Sequence, residues 1–425
     1  MRNSQNPSAR PRAWIAAGVV GLLCVFGVVW RIGAGAESMP KASPPIAESP
    51  RVSMAESASK GVEPSPVFDD RDAPPVERAG VDASSFYKDA FALYDRLSEE
   101  DKQMLSRPSE EVDADKAAAL FEKIQPIMEL LRRGAAADYC DWGLGEPNMD
   151  NPFPQMGKSQ NLGKVALWNA AYRFPTDAEG AIDDLSSQAR LGHHLAETLI
   201  GFLVDSSFEK SAANLLRQNA ATLNEAARGK AGAFLSASTL DRDIELGLAG
   251  EMKFGRSAAE KFLVQTPDGR VALLRALTVK GDADANERAE RAEAVVRDSA
   301  LFNAEMEFVQ KVQAQSLEAM SWPDPQFDAW IQQFDESHFA EHPIASATTP
   351  IYRTIRTKLQ ASRIEREMLN VGLAVLESGP DQASRSRDPV TGRSFVYLPK
   401  PGGFELQSAF QSKGKPLTMS FDLPK

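Results

Sequence analysis

The chain has little of what staples, ligates or titrates near neutrality. Its 425 residues include two cysteines and four histidines. Cys24 falls inside an apolar run, so Cys140 is left alone in the rest of the chain and no disulfide is available there. Stability must then come from a packed core, for which the length suffices. Basic charge is also short. Lys and Arg total 48 against 59 Asp and Glu, a net charge of −11, which disfavours a nucleic-acid partner. Enzyme signatures are missing too. No G-x-S-x-G elbow and neither HExxH nor HxxEH occurs. Gly157-Lys158-Ser159 fails as a phosphate loop because Pro152 stands where its first glycine is needed, and Val165 spoils the same reading of Gly163-Lys164. No repeat of fixed period is visible.

What is present begins with Ala13–Trp30, AWIAAGVVGLLCVFGVVW, uncharged and flanked by Arg10, Arg12 and Arg31. As a helix it would span about 27 Å, close to the thickness of a bilayer's hydrocarbon core. The basic residues ahead of it place residues 1–12 in the cytoplasm and the bulk of the chain outside, as a single-pass inner-membrane protein with a periplasmic or extracytoplasmic domain. A cleaved signal peptide ending at Ala36 is the competing reading. The length of the apolar run and the intervening Arg31 argue against it. Residues 31–82 are rich in Pro, Ser, Ala and Glu without periodicity, which predicts a disordered tether.

From residue 83 to 380 the pattern predicts an all-helical domain. Phe86, Ala90, Leu93, Tyr94 and Leu97 recur at helical spacing, and Ser98 precedes an acidic turn as a helix cap. Pro126 falls inside a helix predicted over 111–133, where it predicts a kink. Thr176 or Asp177 opens a long helix carrying Ile182, Leu185, Leu195, Leu199 and Phe202 on its inner face. Gly229, Gly232 and the serines after them suggest a break, and further helices follow to Glu377. Over residues 381–425 the period changes to two. Asp388-Pro389-Val390-Thr391-Gly392 reads as a turn, and Phe395–Leu398 with Phe404–Gln407 as a small hairpin, to which Leu417–Phe421 would add a third strand. The fold class expected is therefore mainly α: transmembrane helix, tether, multi-helix domain and C-terminal β hairpin.

Chemistry-bearing residues are few. His194 and Glu197 lie three apart, a spacing that can ligate a metal on a helix, with His193 turned more to solvent. His338 and His342 form an H-x-x-x-H, although Pro343 follows at once. Cys140 and Trp142 sit in an aromatic loop that reads as a plug against neighbouring helices. Asp138 and Asp141 beside the thiol oppose its ionisation. No catalytic residue and no cofactor is expected from these patterns.

Two stretches carry a resemblance. One runs from the Leu120 helix through Cys140-x-Trp142 and Thr176–Gly180 to HHLAETLIGFLVDSSFEKSA at His193–Ala212. The other is DPVTGRSFVYLPKPGGFELQSA at Asp388–Ala409. Together they resemble an uncharacterised family of bacterial membrane-anchored helical proteins, whose Asp-Pro-x-Thr-Gly hairpin tail is similar to that of some pseudopilin-like proteins. The resemblance brings no activity and no functional residue. The chain departs from pilins in lacking their processing site before the apolar run and any acidic residue within it. The role expected is a non-enzymatic envelope scaffold or partner-binding module, acting through helix faces or the hairpin edge on a protein partner. A component of a secretion or pilus-like assembly is the alternative, and a metal-dependent envelope hydrolase the third.

Overall fold

Several helix starts in this chain are set by short polar side chains that accept from the first free backbone N–H groups. The computed structural model describes residues 80–143, 155–263, 293–295, 297–332, 342, 350–412 and 414–423. Helix α1 (Ser84–Asp95) is followed by α2 (Glu99–Met104), where Ser98 and Asp101 form a reciprocal capping box. Asp113 caps α3 (Ala114–Ala135) by accepting from Asp115 N and Lys116 N. Next is α4 (Gln155–Arg173), and then Asp177 opens α5 (Ala178–His193). Thr198 caps α6 (Leu199–Asn219), and Asn224 caps α7 (Glu225–Ser236). After these come α8 (Leu240–Leu263), α9 (Ser299–Ala319), α10 (Asp324–Gln332), the long α11 (Pro350–Ser378) and the short α12 (Asp381–Arg385). Pro126 lies inside α3, where its ring leaves the Glu122 carbonyl without the usual N–H donor.

Two boundaries differ from the sequence reading and one is narrowed. The long helix expected from Asp177 to Phe202 is two helices, because the chain turns over 194–198 and Thr198 accepts from Gly201 N to start again. The break expected over Gly229, Gly232 and the following serines falls at the serines: both glycines lie within α7, which ends at Ser236 before α8 begins at Leu240. The inner face of α1 centres on Tyr87, Ala90 and Phe91, while Phe86 lies partly exposed under the Arg133 guanidinium, 4.5 Å from its ring centre.

Three buried clusters make the core. The first packs Tyr87 and Phe91 of α1 on Leu120, Ile124, Met128 and Leu131 of α3, with Leu162 and Val165 of α4. The third gathers Phe202, Ile244, Leu248, Val312, Phe327, Trp330 and Ile355 from α6, α8, α9, α10 and the start of α11. The second is the one that recruits the tail. Its helical half includes Ile182, Leu185, Leu216, Ile364, Met368 and Leu369, and its sheet half is Phe404, Leu406 and Phe421. Helix α11 thus serves two clusters along a length of about 43 Å. Between α3, α4 and α5 the buried Asp184 carboxylate takes Arg132 Nε at 2.8 Å, Arg173 Nη1 at 2.9 Å and Asn169 Nδ2 at 2.7 Å. That network fixes how the three helices meet.

The tail is a three-stranded antiparallel sheet in the order β1 (Val396–Lys400), β2 (Gly403–Ser412), β3 (Lys415–Asp422). The expected hairpin is present and the third strand completes it. Asp388 Oδ1 accepts from Val390 N and Thr391 N, and Gly392 at φ +67° closes the preceding turn in the left-handed region. Pro399 withholds a donor on edge strand β1. The sheet seats on α11 at Gly372, where an added Cβ would lie 2.0 Å from Phe421 Cζ.

The chain is therefore mainly helical with a small C-terminal sheet. Ala13–Trp30 and most of the 31–82 stretch lie outside the described residues. Among the described residues no helix is long and apolar enough to cross a membrane.

Candidate functional site

The residues singled out in the sequence do not come together. His194 and Glu197 lie in the turn after α5, so the helical i, i+3 geometry that a metal pair needs is not present. His194 is buried, its Nδ1 2.9 Å from the Tyr87 hydroxyl and its backbone carbonyl accepting from Trp142 Nε1 at 2.8 Å. Burial, with Arg190 and His193 adding to it, pulls its pKa from 6.5 down to about 3, so the ring is neutral. Glu197 is exposed. Cys140 and Trp142 belong to the first core cluster, with Trp142 stacked between Tyr87 and Phe91 at 5.6 and 6.2 Å. Burial first, then neighbouring carboxylates, push the Cys140 thiol well up, which keeps it protonated. His342 holds Glu305 Oε2 at 2.8 Å and stacks on Phe308, ring centres 3.7 Å apart. His338 lies outside the described residues. Among the described residues no group of three or more His, Cys, Asp or Glu is placed to hold a metal.

A different place gathers polar groups around a void. A cavity of about 220 Å³ opens where α5, α6, the α7–α8 joint and α11 meet. His193, which the sequence reading turned to solvent, lines it and is only 14% exposed. The reason is Asp243, fully buried on α8, whose Oδ1 meets His193 Nδ1 at 2.6 Å. Thr239 Oγ1 donates to the other Asp243 oxygen and lies 3.2 Å from the same ring nitrogen. The ring is thereby fixed through Nδ1, and its remaining nitrogen keeps its capacity for a further partner. Glu209 accepts from Ser238 Oγ at 2.8 Å on both oxygens, with Arg366 Nη1 4.0 Å away. Burial raises the Glu209 carboxyl in spite of these partners. Behind them stands Asp205, buried on α6. No donor among the described residues reaches its oxygens. Burial, and then Glu209 and Asp243, push the Asp205 carboxyl well up from the usual carboxylate range.

Chemically this is an oriented imidazole beside buried acids, without a nucleophile on the ring. Ser238 is committed to Glu209, and among the described residues both hydrogen bonds of the His193 ring run through Nδ1. The sequence did carry a signal for the acids. Asp205 falls on the stripe Phe202, Phe208, Ala212 and Leu216, where a carboxylate is out of place unless something neutralises it. Asp243 and Arg366 gave no such signal, because their meeting with α5 and α6 is purely tertiary. Comparison with known protein families, curated proteins and solved structures gives no match to this chain.

Proposed function

We propose that the protein is a membrane-anchored cell-envelope module that acts by binding and not by catalysis. Ala13–Trp30 is the anchor, the stretch to residue 82 the tether, and the helical body with its sheet the part that meets a protein partner. The observation that carries this reading is that, among the described residues, the histidines are tied to partners and the thiol is sealed. His193 is tied to Asp243, His342 to Glu305 and His194 to Tyr87, while the Cys140 thiol is buried. An acidic, helix-rich surface on a long tether suits capture of partners away from the membrane. The resemblance of the Asp388–Ala409 tail to pseudopilin-like hairpins favours the second reading, a component of a secretion or pilus-like assembly.

Proximity crosslinking of the tagged full-length protein in intact cells, read by mass spectrometry, tests both. The expected result is a small reproducible set of envelope proteins crosslinked to residues 83–425 and absent when residues 1–30 are deleted. Secretion-system subunits in that set establish the second reading. Recovery of abundant bystanders alone overturns both.

A further inference from the structure

The cavity where α5, α6, the α7–α8 joint and α11 meet presents an open imidazole nitrogen in a largely apolar wall. Asp243 and Thr239 both meet the His193 ring at Nδ1, at 2.6 and 3.2 Å. Its Nε2 makes no bond among the described residues and stays open to water. With Nδ1 fixed and the ring lining the void, Nε2 is the atom left for an occupant. Around the ring stand Ala189, Ala213, Phe234, Leu235 and Leu240. The hydroxyls nearby are committed, Ser186 to the Ile182 carbonyl and Ser238 to Glu209. The charges of the wall are mixed in sign. Lys210 meets Glu365 at 3.0 Å, Arg366 stands 4.0 Å from Glu209, and Arg190 lines the void beside them. We propose that this cavity binds a neutral small molecule made of one hydroxyl on an apolar body the size of a single ring, with the hydroxyl on His193 Nε2 and the body against Phe234, Leu235 and Leu240.

Charge, hydrogen bonding and size each narrow the ligand. Arg190, Lys210 and Arg366 stand against Glu209 and Glu365, with the buried Asp205 and Asp243 behind them. An anion would meet the acids as well as the bases, and a cation the reverse. Either would lose its water for attraction and repulsion together, a loss that a neutral ligand avoids. A hydroxyl both donates and accepts, so it satisfies Nε2 whether that nitrogen offers a lone pair or a proton. A ketone or an ether only accepts, and fits one of the two states. The size follows from the void of about 220 Å³. An apolar cavity of about 150 Å³ is enough for a benzene ring, so one ring with its hydroxyl fits here and a fused pair does not. The site is independent of the protein-partner reading, since a ligand of this size is enclosed and adds no surface for a second chain.

The test uses the full-length chain in phospholipid nanodiscs, with empty nanodiscs as the blank. Fluorine NMR follows para-fluorophenol, fluorobenzene, para-fluorobenzoate and para-fluorobenzylamine, which at neutral pH are a neutral hydroxyl compound, a bare ring, an anion and a cation. para-Fluorophenol should bind with a Kd of about 1 mM or tighter, and the other three at least about fivefold more weakly. His193→Phe removes the ring nitrogens and should bring para-fluorophenol down to the affinity of fluorobenzene. Ala213→Leu fills the void from α6 with a residue that helices favour, and should abolish binding with the melting temperature held. If His193→Phe does not fold, the ranking of the four rings and Ala213→Leu decide the matter. Fluorobenzene binding as well as para-fluorophenol would reduce the site to an apolar void and overturn the proposal. Tighter binding of the benzoate or the benzylamine, no binding of para-fluorophenol, or its full affinity in either folded variant would each overturn it too.

Discussion

At the scale of single residues, burial of polar groups decides the energetics, and the two most informative cases differ in sign and size. His194 is held neutral with its pKa at about 3 against 6.5 when unfolded, so the folded state binds fewer protons than the unfolded one. Its stabilising contribution is complete above pH 6.5 and is lost as pH falls towards 3. Between pH 7.5 and 5, wild type should lose about 2 kcal/mol more than His194→Gln in urea titrations at each pH. Equal losses would show that the ring is not buried neutral. Asp184 is the contrasting case. It is fully buried and anchors Arg132, Arg173 and Asn169, so Asp184→Ala leaves Arg132 without its acid and Arg173 with Asp177 alone. Because those arginines are 35% and 21% exposed, water recovers part of the loss, and about 3 kcal/mol is expected by denaturant unfolding. The Asp95–Lys158 pair, about half exposed on both sides, sets the scale for comparison: Asp95→Ala should cost less than about 1 kcal/mol. Of the candidate site, the sequence reading picks out only His193, and turns it to solvent; Asp205 leaves an unused signal there, a carboxylate on an apolar stripe. Asp243 and Arg366 come to it from α8 and α11, and no local pattern encodes that meeting.

At the scale of elements, the chain's punctuation was readable where a side chain does the capping and unreadable where packing decides. Ser98 and Asp177 mark the starts they were expected to mark. The turn at 194–198 was hidden because Leu195, Leu199 and Phe202 keep helical spacing across it, so periodicity alone reads straight through. Of the break signals at Gly229, Gly232 and the following serines, only the serines end α7, since a glycine's cost in a helix is only about 1 kcal/mol. Gly372 is the glycine that matters, because Phe421 of β3 lies against it. Gly372→Ala should cost about 2 kcal/mol by forcing the ring off α11. Adding Phe421→Leu should recover about 1 kcal/mol of the sum expected from the single variants, measured as a double-mutant cycle. Strict additivity would mean that the sheet does not seat there.

At the scale of the whole molecule, the body is one set of helices whose second cluster is closed only by the tail. The anchor reading makes a separate prediction. After an alkaline wash the full-length chain should stay with the membrane and keep an N-terminal tag, and deletion of residues 1–30 should release it. A mature chain beginning after Ala36 would replace the anchor with a cleaved signal. The seating of the sheet also sets an order of events. Arg217 Nη1 donates to the Ser420 carbonyl across 203 residues, and Phe421 belongs to the same cluster as Ile182 and Leu185. No ribosome-bound fragment short of β3 can close that cluster, so the body completes folding only once β3 has emerged. A stop codon just before β3 would leave the second cluster with an apolar face open, a substrate for quality-control proteases.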